Sequence, residues 1–121
     1  MSVFVKIESG NEFISLILEA VELPNLKLEC EITCEPGVET SSGEVYATGL
    51  IRVLCHDGMR IARRKLSIEN GLQISISEIN GILERRNEVN ICYVTGLAIA
   101  RALGKDCSPF IDLMPEWTVV N

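Results

Sequence analysis

A nucleophile, a base and an orienting acid stand side by side at Cys55, His56 and Asp57, and His56 is the chain's one histidine. A thiolate nucleophile needs its base within hydrogen-bond reach. The surrounding stretch VLCHDGMRIARRKL, residues 53–66, reads as parts of two strands, about 44–56 and 59–69, joined at the hairpin signal Asp57-Gly58. Neighbours on a strand project to opposite faces, so Cys55 and His56 diverge, and Asp57 serves the turn. The expectation is a buried Cys55 beside a surface His56 rather than a catalytic pair.

Cys30 and Cys34, with Cys55 and His56 as further ligands, raise the question of a metal. The stretch LKLECEITCE, residues 26–35, alternates cleanly: Leu26, Leu28, Cys30, Ile32 and Cys34 on one side, Lys27, Glu29, Glu31, Thr33 and Glu35 on the other. That period belongs to a half-buried strand. It sets the two thiols ~13 Å apart, too far for one zinc ion or a disulfide. No metal site and no cofactor is expected, and the thiols read as small buried hydrophobes.

Arg60, Arg63, Arg64 and Lys65 form the one dense basic cluster. On a strand, Arg63 and Lys65 share one face and Arg60 and Arg64 the other. This splits the charge and suits neutralisation of glutamates on a neighbouring strand better than a nucleic-acid stripe. The stretch IARALGKDCSPFIDLM, residues 99–114, resembles the start of a helix-turn-helix. Its second helix, however, would offer Asp112 and Glu116 with no Lys or Arg, so DNA reading is not expected. The chain has no glycine-rich phosphate loop, no Gly-x-Ser-x-Gly and no Asp/Glu/His grouping at metal spacing. It is therefore not expected to be an enzyme.

The elements that would carry these residues follow from composition and period. With 121 residues, 47% of them hydrophobic and few aromatic, the chain suits a single domain, 1–121, around an aliphatic core. The N-terminus MSVFVKIESG lacks the basic and continuous apolar segments of a secretory signal, and no apolar run approaches a membrane span. A cytoplasmic, non-membrane protein with reduced thiols is expected. SVFVKIE, residues 2–8, alternates as a first strand closed by Ser9-Gly10-Asn11. In EFISLILEAVEL, residues 12–23, polar residues at Glu12, Ser15, Glu19 and Glu22 are spaced three, four and three apart. This favours a helix capped by Asn11, with a strand as the alternative. Asn70-Gly71 opens a short strand, LQISI. From Ser77 the period predicts a helix to about Asn87, then a second helix, 88–103, stopped by Gly104. Ser108-Pro109 starts a further short helix, and WTVVN reads as an edge strand. The sum is an α+β fold: an antiparallel sheet of about four to five strands with C-terminal helices packed on it.

Charge supplies the functional expectation. The net charge is −6, and the first 56 residues hold nine glutamates against Lys6, Lys27 and Arg52. An acidic surface repels nucleic acid and anionic lipid and favours a basic partner. The expected working surface is the polar face of 27–35 and the loop beyond it, with Glu29, Glu31, Glu35, Glu39 and Glu44 as partner-binding residues. The expected function is a small acidic protein-binding domain, in its sharpest form an inhibitor or immunity protein blocking a basic, nuclease-like partner. The alternative is a self-associating subunit of a homo-oligomer or assembly, such as a phage or secretion component, because a small domain this apolar can reserve a face for a like partner.

Overall fold

The computed structural model describes residues 2–23, 30–34, 48–81 and 85–120, with side chains over 2–23, 53–81 and 86–120. Five strands form one sheet in the order β3-β4-β2-β1-β5: β1 Ser2–Ser9, β2 Glu12–Leu23, β3 Cys30–Cys34, β4 Gly71–Gly81 and β5 Thr118–Val120. The four strands from β4 to β5 pair antiparallel, while β3 runs parallel to β4. That parallel edge requires a crossover, which helix α1, Thr48–Lys65, provides. A single 3-10 turn, Arg85–Asn87, leads into α2, Glu88–Ala102, followed by the four-residue α3, Ser108–Ile111. The α+β class and the antiparallel body of the sheet agree with the sequence.

β1 and β2 are joined by a two-residue turn whose first position, Gly10, has φ +60°, a conformation that glycine adopts without steric cost. β2 lies between β1 and β4, and the helix expected over 12–23 is absent. Ile14, Leu16 and Leu18 are fully or almost fully buried beneath the helices, while on the opposite face Ser15 is 6% exposed between Lys6 and Asn80. β2 also carries apolar residues on its outer face, Ile17 and Val21, so it lacks the alternation that marks a half-buried strand. The three-four-three spacing of its polar residues combines Glu12 and Glu22 near the strand ends with Ser15 and Glu19 on the outer face.

β4 also departs from expectation, because it continues through Ser77 to Gly81 where a helix was expected to begin. A bulge explains the change of period. Ile17 pairs with Glu78 and Leu18 with Ile76, leaving Ser77 as the extra residue. The buried positions therefore run Leu72, Ile74, Ile76 and then Ile79. The step of three resembles a helical stripe but is a strand changing phase.

The largest correction concerns residues 44–56 and 59–69. No hairpin forms at Asp57-Gly58: from Thr48 to Lys65 this segment is one helix. Leu54, Cys55, Met59 and Ala62 all lie on its buried side, a helical spacing. Arg63, Arg64 and Lys65 occupy its last turn, where cations complement the carbonyl end of the helix dipole. α2 matches its expected span. It is buried almost all round, from Ile91 to Ala100 apart from Tyr93, because it rests on β1 and β2 and also touches α1 and α3. Gly104 follows with φ +68° and stops it as expected. Asp106 then accepts hydrogen bonds from the Ser108 backbone N–H at 3.0 Å and hydroxyl at 2.8 Å, which hold its carboxyl below the usual carboxylate range. β5 closes the sheet at the outer edge of β1.

Candidate protein-binding surfaces

The Cys55-His56-Asp57 row dissolves on the helix. Cys55 is fully buried, and its Sγ lies 3.7 Å from Thr95 Oγ1, whose hydroxyl donates to the Ile91 carbonyl at 2.7 Å. Asp57 faces Arg60 one turn on, at 3.9 Å. His56 is half-buried. The expected burial of Cys55 is found, although the cause is the α1–α2 contact and not a strand face. Among the described residues no three His, Cys, Asp or Glu side chains come close enough to hold a metal ion. Among the same residues no helix is long and apolar enough to cross a membrane.

The basic cluster is likewise placed differently from expectation. Arg60 and Arg64 are one helical turn apart on α1 and rim the seam between α1 and α2. There they border a groove of about 350 Å³ with Asp57, Ile61, Val89, Cys92 and Tyr93. A neighbouring hollow of about 230 Å³ shares Ile61, Arg64 and Tyr93 and adds Lys65 and Leu113, so the seam continues along the helices. Val89 is 57% exposed. Among the described residues no carboxylate pairs with Arg64 or Lys65, and the contact between Arg60 and Asp57 is long and exposed. The expected arrangement of these cations on the two faces of a strand is thus replaced by one helix, with Arg60 and Arg64 on the groove side.

Cys92 forms part of this groove wall. Burial raises its thiol from 9.0 to about 11, and the nearby Asp57 and Glu88 carboxylates add to the shift by disfavouring a second negative charge. The folded chain therefore holds this proton more tightly than the unfolded chain does. The stability so gained is fully present below pH 9 and is lost as pH climbs toward 11. Cys92→Ala should flatten that part of the profile in urea unfolding followed against pH. Alkylation of Cys92 at neutral pH should also be much slower in folded protein than in urea.

The opposite face of the sheet is open. Phe4 is 56% exposed and Val21 51%, and Glu8, Glu19, Gln73, Ser75 and Glu78 are exposed beside them. Phe4 pairs across the sheet with Ile17, which pairs in turn with Glu78, while Glu19 pairs with Ser2 and Ser75. Lys6, the one base here among the described residues, is engaged locally: its Nζ lies 3.3 Å from Glu8 and 4.9 Å from the centre of the Phe13 ring. Among the described residues no base forms an ion pair with Glu19 or Glu78, which stand next to the Phe4–Ile17 pair.

Of the expected partner-binding residues, Glu29, Glu35, Glu39 and Glu44 lie outside the described residues. Glu31 belongs to β3, in register with Gln73, an exposed residue of β4. Cys30, Ile32 and Cys34 are in register with Leu72, Ile74 and Ile76, all buried, so the alternation of 30–34 runs in phase with that of its neighbour. Glu19 and Glu78 were missed as surface candidates because their segments read as helices. With β2 recognised as a strand its alternation would have placed Glu19, whereas Glu78 reaches the open face only through the bulge at Ser77.

The fold and these surfaces define an α+β domain with one covered and one open sheet face. No protein-family profile matches the chain, and no curated protein matches its sequence.

Proposed function

We propose that this chain is a non-catalytic protein-binding domain whose working surface is the open sheet face and whose partner presents a basic surface. The observation that supports it is the row Phe4–Ile17–Glu78 with Glu19 beside it: an exposed Phe4 and a half-buried Ile17 edged by carboxylates that pair with no base among the described residues. Apolar contact supplies affinity and the acids supply selection and fast encounter, the usual division of labour at an interface. An inhibitor seated on a basic nucleic-acid-handling site is the sharpest form of this reading, and the sequence adds Glu29, Glu31, Glu35, Glu39 and Glu44 as candidate partner-binding residues.

The test is capture of partners from host extract by wild type, by Glu19→Lys/Glu78→Lys and by Glu29→Lys/Glu31→Lys/Glu35→Lys, each confirmed folded by circular dichroism. A stoichiometric partner should bind wild type at low salt, weaken roughly tenfold or more as salt is raised, and be lost by at least one variant. Equal retention of that partner by all three proteins would put the interaction on another surface and sink the proposal.

A further inference from the structure

One basic surface that fits the open face is carried by the chain itself. We infer that the partner of the open sheet face is the α1–α2 groove of a second copy, so that the chains associate head to tail. This rests on the reading of the open face given above and names its partner.

The two surfaces are complementary in chemistry and spacing. On the sheet, Phe4 and Ile17 form an apolar pair, with Glu78 directly across from Ile17 and Glu19 two residues along β2. The backbone positions of the two acids are thus ~7–8 Å apart, as diagonal neighbours in a sheet are. In the groove, Ile61, Val89 and Tyr93 provide the apolar lining, and Arg60 and Arg64 stand on its rim ~6 Å apart, one helical turn. Flexible arginine side chains can take up the difference. The groove's 350 Å³ has room for an aromatic side chain. Among the described residues Arg64 has no carboxylate partner and Glu19 forms no ion pair, accepting instead from the Ser2 hydroxyl at 3.0 Å, so no described salt bridge must break for the two to meet.

Because the two surfaces lie on opposite layers of the domain, the contact is heterologous. Each added chain offers a fresh groove and a fresh sheet face, so growth continues into an open chain, or into a ring if the rotation closes.

The test uses the whole protein in sedimentation velocity across a concentration series at low and high salt. The mass of wild type should rise with concentration at low salt and return to that of the monomer at high salt. Arg60→Glu/Arg64→Glu removes the groove, and Phe4→Glu removes the sheet face. All three positions are exposed, and both proteins should fold by circular dichroism and remain monomeric. Mixed in equal amounts, the two should form a heterodimer and stop there, because one intact face meets one intact groove and the two spoiled surfaces, both acidic, repel.

A monomeric wild type, or a mixture that stays monomeric, overturns the second copy as partner while leaving the open face to the capture experiment above. Self-association that survives both variants places the contact elsewhere and overturns the inference. Loss in Phe4→Glu alone indicates a face-to-face dimer, which overturns the head-to-tail contact but keeps the open face. Loss in the arginine variant alone indicates a groove-to-groove dimer and removes support from both.

Discussion

Gly58→Ala should destabilise the protein by roughly 1–3 kcal/mol even though alanine is the better helix former by about 1 kcal/mol. Gly58 lies inside α1 where that helix presses on α2. A methyl group there would sit 2.4 Å from the Cys92 carbonyl oxygen and 2.9 Å from Thr95 Cβ. Neither atom is the end of a flexible chain. Carbon atoms pack comfortably at about 3.5–4.0 Å, so the helices would have to part by about 1 Å along their contact. The lost contacts include that between Cys55 and Thr95, both fully buried. Urea unfolding should show a lower midpoint with an unchanged slope. Gly58→Asn gives the sharper comparison. At a hairpin turn asparagine would be among the best replacements, whereas at a helix crossing it should cost more than alanine because it is larger. Asparagine tolerated better than alanine would contradict the crossing.

The same glycine marks the limit of what the sequence makes legible. Asp-Gly between apolar runs is a strong local turn signal, and nothing nearby in the sequence reveals that α2 passes beside it. The helix is decided by Leu54, Cys55, Met59 and Ala62 meeting a partner more than thirty residues away. β2 and the second half of β4 were obscured for related reasons: β2 is flanked by strands on both edges, and the bulge at Ser77 changes the phase of β4. Legible elements were those whose signals are local. β1 alternates and ends in a glycine turn, α2 runs from Glu88 to a left-handed Gly104, and Pro109 opens α3. The candidate surfaces follow the same division. Glu31 was placed by its own alternation, which the register with Gln73 matches. The acids Glu19 and Glu78 and the groove beside Arg60 and Arg64 depend on segments whose period misled, so their grouping emerges only with the fold.

Phe110→Ala should cost more than Gly58→Ala, about 3–5 kcal/mol, because it empties a fully buried aromatic site. The ring is fitted to a glycine. A methyl group on Gly96 would lie 2.2, 2.7 and 2.9 Å from three ring carbons of Phe110, so the ring occupies the space a side chain on α2 would fill. Gly96→Ala alone should therefore destabilise by roughly 1–3 kcal/mol, reduced by its gain in helix propensity. The two positions should be strongly non-additive. In Phe110→Leu the smaller side chain leaves room for the methyl group, so adding Gly96→Ala to it should cost less than the same change in wild type, a coupling a double-mutant cycle reads directly. Additive effects would show that the ring does not depend on this glycine.

The consequence reaches beyond the cavity, because α3 has only four residues and cannot persist without tertiary support. Phe110 is its one buried side chain, and the chain from Met114 onward leads into β5, which holds the outer edge of β1 through three residue pairs. Releasing Phe110 should therefore loosen the segment from Ser108 to Val120 before the rest of the sheet. Amide exchange should accelerate at Thr118, Val119 and Val120 in Phe110→Ala while the β2–β4 ladder stays protected under native conditions. If exchange rose uniformly across all strands, the C-terminal segment would instead belong to the same cooperative unit as the core, and Phe110 would report on global stability alone.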